Sequence, residues 1–397
     1  MIYDIIISLF KEVVLLVKMI GEIIMNESNV VIQTKSERNY GIDLLRLIAM
    51  SFVVILHCLG QGGVLDNLVI NSTQYKFSWF MEICAYGAVN IFALISGYVS
   101  YSDKEKKVNY SNYINLWLQV VFYGLLVTLI FNIINPLLIT KSDYLMVVLP
   151  VTNGLYWYFT AYTGLFAIMP FLNKGIRNCS VKTMKKVFIV ILLVFSLFDK
   201  ISNRFILNGG YSFIWIVLLY ILGAAIKKCE IGKNLKRYQI ICGILVLYVC
   251  TYLYKIYGLE ISKLNILITK DLLISYTSPT ILGVAILYVI LFSKMKFNNL
   301  FKRIIKFAAP SAFAIYLLNN HRLIWNYVMK DLFASIANVP TIKILLYVLG
   351  FTFIFVIGSI LIDKIRILLF KVCHVKTLSD KISNLLNSLI SKVSELI

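Results

Sequence analysis

Acidic residues are scarce: 19 Asp and Glu stand against 39 Lys and Arg, a net charge of +20 in 397 residues. Such a balance invites a nucleic-acid partner, but there is no basic domain to bind one. The positive residues lie in short loops between apolar runs, where they set topology and meet anionic headgroups. Nucleic acid is therefore not an expected partner. Polar surface is also lacking. With 60% hydrophobic residues and a mean hydropathy of +0.83, too little remains to coat a soluble globule or a set of soluble domains. The seven cysteines are odd in number and scattered, with no CxxC and no Cys/His cluster. Neither a disulfide framework nor a metal site is supported, and the thiols read as small apolar fillers. A P-loop, a glycine-rich nucleotide fingerprint and an internal repeat are all missing.

What is present is a series of apolar runs of the roughly 17–25 residues that cross a bilayer. The runs predict an all-α, polytopic transmembrane bundle of about ten spans: 41–60, 80–101, 113–134, 155–172, 187–198, 211–226, 239–257, 272–292, 307–328 and 341–363. The fifth, at twelve residues, is short. The loops after spans two, four, six and eight hold eighteen Lys and Arg, about twice the number in the alternate loops. The positive-inside rule then puts both termini in the cytoplasm. Residues 1–37 read as an N-terminal amphipathic arm, 38–370 as the membrane domain and 371–397 as a C-terminal amphipathic helix. The arm has neither a basic n-region nor a small-residue cleavage site, so it does not read as a signal peptide.

Three polar residues inside the first span attract chemistry. Gly41–Gly60 reads GIDLLRLIAMSFVVILHCLG and carries Asp43, Arg46 and His57. Ionisable groups at membrane depth cost on the order of 2.5–3.5 kcal/mol on insertion scales and so point to function. Arg46 and His57 lie eleven residues apart, about three helical turns, so they share a face with ~16 Å between them along the axis. Asp43 lies one turn before Arg46 and can pair with it. His57 suits proton transfer near neutral pH, and Arg46 suits a phosphate or carboxylate. The competing readings are a histidine hydrogen-bonded in a helix interface and a salt bridge that assembles the bundle.

Further along, YGAVNIFALISGYVSY groups Asn90, Ser96, Gly97 and Tyr98, as a slender ligand or a close helix crossing would require. NGLYWYFTAY places Tyr156 and Trp157 as an interfacial aromatic belt or a platform for a sugar ring. IYLLNNHRLIW sets Asn319 and His321 in the ninth span, where one or the other is expected to face the bundle interior. Glu82, at the start of the second span, is a further candidate that reads equally as a solvated carboxylate.

Taken in order, these segments resemble the membrane acyltransferases called acyltransferase family 3. RNYGIDLLRLIAMSFVVILH matches the family's Asp-x-x-Arg start and its arginine-ten-residues-histidine motif at Arg46 and His57. IFALISGYV resembles its Ser-Gly-Tyr segment, LYWYFTAYTGLFAIMPFLN its Trp-Tyr stretch ending in proline, and SAFAIYLLNNH its late Ser-x-x-Ile-Tyr-Leu-x-His segment. The likeness runs from about Arg38 to about Asp363. Two departures stand out: no arginine pair follows the Ser-Gly-Tyr segment, and Asn319 and Asn320 precede His321.

The resemblance implies a bacterial plasma-membrane O-acetyltransferase, most like those of exopolysaccharide and capsule. It implies transfer from acetyl-CoA, a co-substrate and not a bound cofactor, to a hydroxyl of a polysaccharide or its lipid-linked precursor. It puts the essential pair on Arg46 and His57 with Asp43 beside them, Arg46 toward CoA. Asn90, Ser96, Gly97, Tyr98, Tyr156, Trp157, Asn319 and His321 are the expected substrate-binding residues. The bilayer is the remaining partner, and a homo-oligomer or a polysaccharide-synthesis complex is left open. The rival class is a transporter or flippase of lipid-linked glycan, with Arg46 and His57 in a conduction path.

Overall fold

A computed structural model describes residues 38–105, 110–199, 205–264 and 272–396. The expected N-terminal arm, 1–37, lies outside the described residues. Among them the chain is all-helical, without strands. Tyr40–Ile397 forms one compact unit. Among the described residues five stretches are long and apolar enough to cross a membrane: Tyr40–Leu59, Thr73–Ser100, Tyr110–Ile134, Arg237–Gly258 and Thr341–Val372.

The first of these, α1 (Tyr40–Leu59), is the hub. It opens with Asp43 in its first turn, favourable at the positive end of the helix dipole, and closes with His57 in its last. It packs on α2 (Thr73–Ala85) and α3 (Ala88–Ser100), which together make the second stretch with a break at Tyr86 and Gly87. Ser72 caps α2 by accepting from the Tyr75 N–H at 3.0 Å. Next come α4 (Tyr110–Ile134), the short outer helix α5 (Lys141–Val148) and α6 (Trp157–Asn178). The short fifth run proves longer than its hydropathy implied. Ser180 caps α7 (Val181–Val190), which continues as a π-helix over Ile191–Phe198. The lysines of its first turns hid this extension from a count of apolar residues.

The helix α8 (Phe213–Lys228) packs on α3 at close backbone range. A Cβ at Gly97 would stand 1.9 Å from the Tyr220 carbonyl oxygen, and one at Gly223 would stand 2.0 Å from that of Leu94. Only two glycines let these backbones meet. Lysines close the nearby helix ends: Lys227 donates to the Tyr101 carbonyl at 3.0 Å, and Lys228 to those of Ile176 and Arg177 at 2.6 and 2.9 Å. α9 (Arg237–Leu264) and α10 (Pro279–Ser293) follow as a packed pair.

The ninth run, 307–328, is not one continuous helix. A surface helix α11 (Asn299–Ala308) runs into a 3₁₀ turn at Ala309–Ser311 containing Pro310, which lacks an N–H for a regular helix. α12 then spans only Ala312–Asn319. After a break at Asn320 and His321 the chain makes one helical turn, Arg322–Ile324, and a π-turn, Trp325–Met329. The long α13 (Thr341–Val372) and the amphipathic α14 (Val375–Leu396) complete the fold. α14 packs on α4 through Ser379 and Ser383, and leaves Leu378, Leu385 and Leu389 exposed.

Candidate active site

The polar stripe of α1 survives intact. Arg46, Met50, Val53 and His57 fall at the i, i+4, i+7 and i+11 positions of one face. Met50, Val53 and His57 line a cavity of about 220 Å³. One turn beyond its Met50 end, Arg46 donates through Nη1 to the Asp43 carboxylate at 2.9 Å, with Tyr162 of α6 in electrostatic reach. The pair lies within α1 itself and leaves Arg46 beside that end of the cavity.

At the His57 end of the cavity, the break after α12 supplies the partner of the imidazole. The helix stops because His321 adopts an extended backbone (φ −65°, ψ 132°) and caps the next turn, its Nδ1 accepting from the Leu323 N–H at 3.2 Å. Asn319, wholly buried, faces α1, and its side-chain oxygen meets His57 Nδ1. An amide oxygen can only accept, so Nδ1 carries the proton and Nε2 keeps its lone pair. Trp325, at the head of the π-turn, stands edge-on to the imidazole with ring centroids 4.6 Å apart and planes at 88°. Single π-turns of this kind are found frequently at functional sites. Two backbone bonds join the segments that follow this pair: Asp331 N–H to Gln61 O at 3.0 Å, and Phe333 N–H to Gly62 O at 2.7 Å. Gln61 Nε2 donates to the Trp325 carbonyl at 3.2 Å.

The remaining walls are aromatic. Trp157 and Tyr158 enter from the start of α6, and Phe313, Tyr316 and Asn320 from the α12 segment. Tyr211 and Tyr276 come from the loops before α8 and α10. Their hydroxyls lie 3.4 Å apart, and Tyr211 packs on Trp157 at 4.9 Å. The interior is therefore mostly apolar, with one imidazole and a few hydroxyls and amides to orient what enters.

Of the expected substrate-binding residues, Trp157 alone lines this cavity, and Asn319 stands behind its imidazole. Asn90 is buried and spent on structure: its Nδ2 donates to the Tyr276 carbonyl at 2.7 Å and its Oδ1 accepts from Trp215 Nε1 at 3.0 Å. Gly97 serves the α3–α8 crossing. Ser96 donates to the Phe92 carbonyl of its own helix at 3.2 Å, and Tyr98 lies under the Lys227 ammonium at 5.6 Å. Tyr156 is buried against Tyr316 and His321, outside the lining. Glu82 is buried on α2 rather than solvated, and also lies outside the lining. Tyr211 and Tyr276 carry no signal in the sequence, and Tyr316 and Trp325 flank the Asn319–Arg322 polar run without being expected site residues. Among the described residues no group of three or more His, Cys, Asp or Glu could hold a metal ion.

A family model described as an acyltransferase domain, acyltransferase 3, matches residues 39–364. The chain belongs to that family. The match spans every helix that builds the cavity, from α1 to the first three quarters of α13. No curated protein and no solved structure matches the chain. In this acyltransferase the family's start motif is the polar stripe of α1, and its late segment is the α12 break that brings Asn319 to His57.

Proposed function

We propose that this membrane acyltransferase is an O-acetyltransferase of the bacterial plasma membrane. It moves an acetyl group from cytoplasmic acetyl-CoA to a hydroxyl of a cell-surface polysaccharide or its lipid-linked precursor. The observation that carries the reading is the imidazole of His57, its Nδ1 meeting the Asn319 side-chain oxygen and its ring set in the wall of an aromatic cavity. Ten spans with both termini in the cytoplasm, as the charge alternation implies, would put Arg46 on the CoA side and His57 on the glycan side. Arg46 meets the phosphates or pantetheine carbonyls of CoA, and the arm lies along Met50 and Val53 toward His57.

In the chemical step, Nε2 of His57 takes the proton of the sugar hydroxyl as its oxygen attacks the thioester carbonyl. The new ester C–O bond forms, the C–S bond breaks, and the proton passes from the imidazolium to the departing thiolate. Trp157 and Tyr211 present apolar ring faces suited to the C–H faces of a sugar. The test is transfer of label from acetyl-CoA to a glycan acceptor by the purified protein, with His57→Gln at normal abundance as control. Loss of transfer in the variant is expected. Transfer near the normal rate would remove His57 from the chemistry, and acceptor translocation without label would make the protein a carrier.

A further inference from the structure

The surface helix α11 has a composition the transfer reaction does not require. It is only 10 residues long, about 15 Å, half of what a bilayer core demands, so it cannot be a span. Asn298 caps it, accepting from the Phe301 N–H at 3.0 Å. A single side chain, Ile305, is buried. Leu300, Phe301 and Ile304 are 64%, 53% and 54% exposed and form one stripe with Phe307. Lys302, Arg303 and Lys306 occupy the other side of the helix. No acidic residue occurs between Asp271 and Asp331, so the basic face has no local counter-charge in sequence. Arg303 and Lys306 make no ion pair with any described residue, whereas Lys302 stands over the Tyr40 ring at 5.8 Å. Tyr40 is the first residue of α1.

We propose that α11 is a docking surface for anionic phospholipid, lying in the headgroup layer with its apolar stripe among the acyl chains. A soluble polyphosphate would answer the cations but leave Leu300, Phe301 and Ile304 in water. An anionic bilayer surface answers both faces at once. Through Lys302 on Tyr40 the docked helix braces the end of α1 that carries Asp43 and Arg46. This assignment is independent of the acyl-transfer reading, and its test requires no turnover.

The measurement is hydrogen–deuterium exchange over 299–308 in nanodiscs of phosphatidylcholine alone or mixed with phosphatidylglycerol. Exchange should slow in the anionic discs, and 1 M salt should abolish the difference. In the double variant Arg303→Gln/Lys306→Gln the anionic-lipid protection should fall about 30-fold, about fivefold for each charge removed. Equal exchange of the wild type in the two lipid mixtures would overturn the proposal. So would full protection retained in the variant, or protection in phosphatidylcholine discs raised by added free CoA, which would assign the basic face to a soluble phosphate.

Discussion

Replacing Asn319 with leucine removes the one acceptor that holds His57 Nδ1 while keeping the side-chain volume. Asn319 is wholly buried, so no water takes its place, and a buried donor left unmatched costs about 1–3 kcal/mol. The imidazole escapes that cost by changing tautomer, which protonates Nε2, or by turning, and either change removes the Nε2 lone pair from its working position. Carried into the barrier, 1–3 kcal/mol is a fall of about 5- to 150-fold in kcat. Stability should move much less, because the Asn319 Nδ2 has no hydrogen-bond partner and its removal relieves an unmatched donor in return. The assay is steady-state acyl transfer on reconstituted protein, with thermal unfolding recorded on the same samples. The expected result is a lower kcat, an unchanged KM for acceptor and a nearly unchanged Tm. Asn319→Asp, which keeps an acceptor in place, should recover much of the rate. A leucine variant with normal kcat would refute the argument that Asn319 sets the working tautomer.

Arg46→Gln should raise the KM for acetyl-CoA about 10- to 150-fold, the value of a charge-assisted hydrogen bond at ~1.5–3 kcal/mol; an unchanged KM would confine Arg46 to its ion pair with Asp43. Gly97→Leu should force α3 and α8 apart and lower folded abundance in the membrane, with thermal unfolding as the check and a change confined to acceptor KM as the contrary result. Asn90→Leu leaves the Trp215 N–H unmatched and should destabilise the fold by about 1–3 kcal/mol, read as a lower Tm. Tyr211→Ala should raise acceptor KM about 2- to 12-fold, from the ~0.5–1.5 kcal/mol typical of an aromatic contact, and leave the KM for acetyl-CoA alone.

The stripe of α1 was legible because helical periodicity is rigid: with Arg46 and His57 eleven positions apart on one helix, no packing detail can put them on different faces. The ring of aromatic walls was not. Tyr211 and Tyr276 sit in loops, where no period constrains direction, and their convergence depends on how α8 and α10 enter the bundle. Asn319 was visible as a costly polar group, but a polar group in an apolar run does not name its partner. The Ser-Gly-Tyr segment posed the opposite difficulty. Small residues let either a ligand or a backbone come close, and at Gly97 the neighbour is the backbone of α8. The ninth run misled by its hydropathy, which averages over a proline turn and a helix break that the chain uses to aim two asparagines.

The pairing of His57 with Asn319 joins residues 262 positions apart, and that separation has a consequence for biogenesis. At roughly 5–20 residues per second, the ribosome reaches Asn319 about 13–50 s after His57. Through that interval the first span must enter the bilayer on its aliphatic residues alone, with an imidazole whose eventual acceptor has not been made. Chains arrested before α12 therefore hold a histidine without its mate. The His57–Asn319 pair has no half-built form, and it comes into being only when the late part of the protein folds back onto α1.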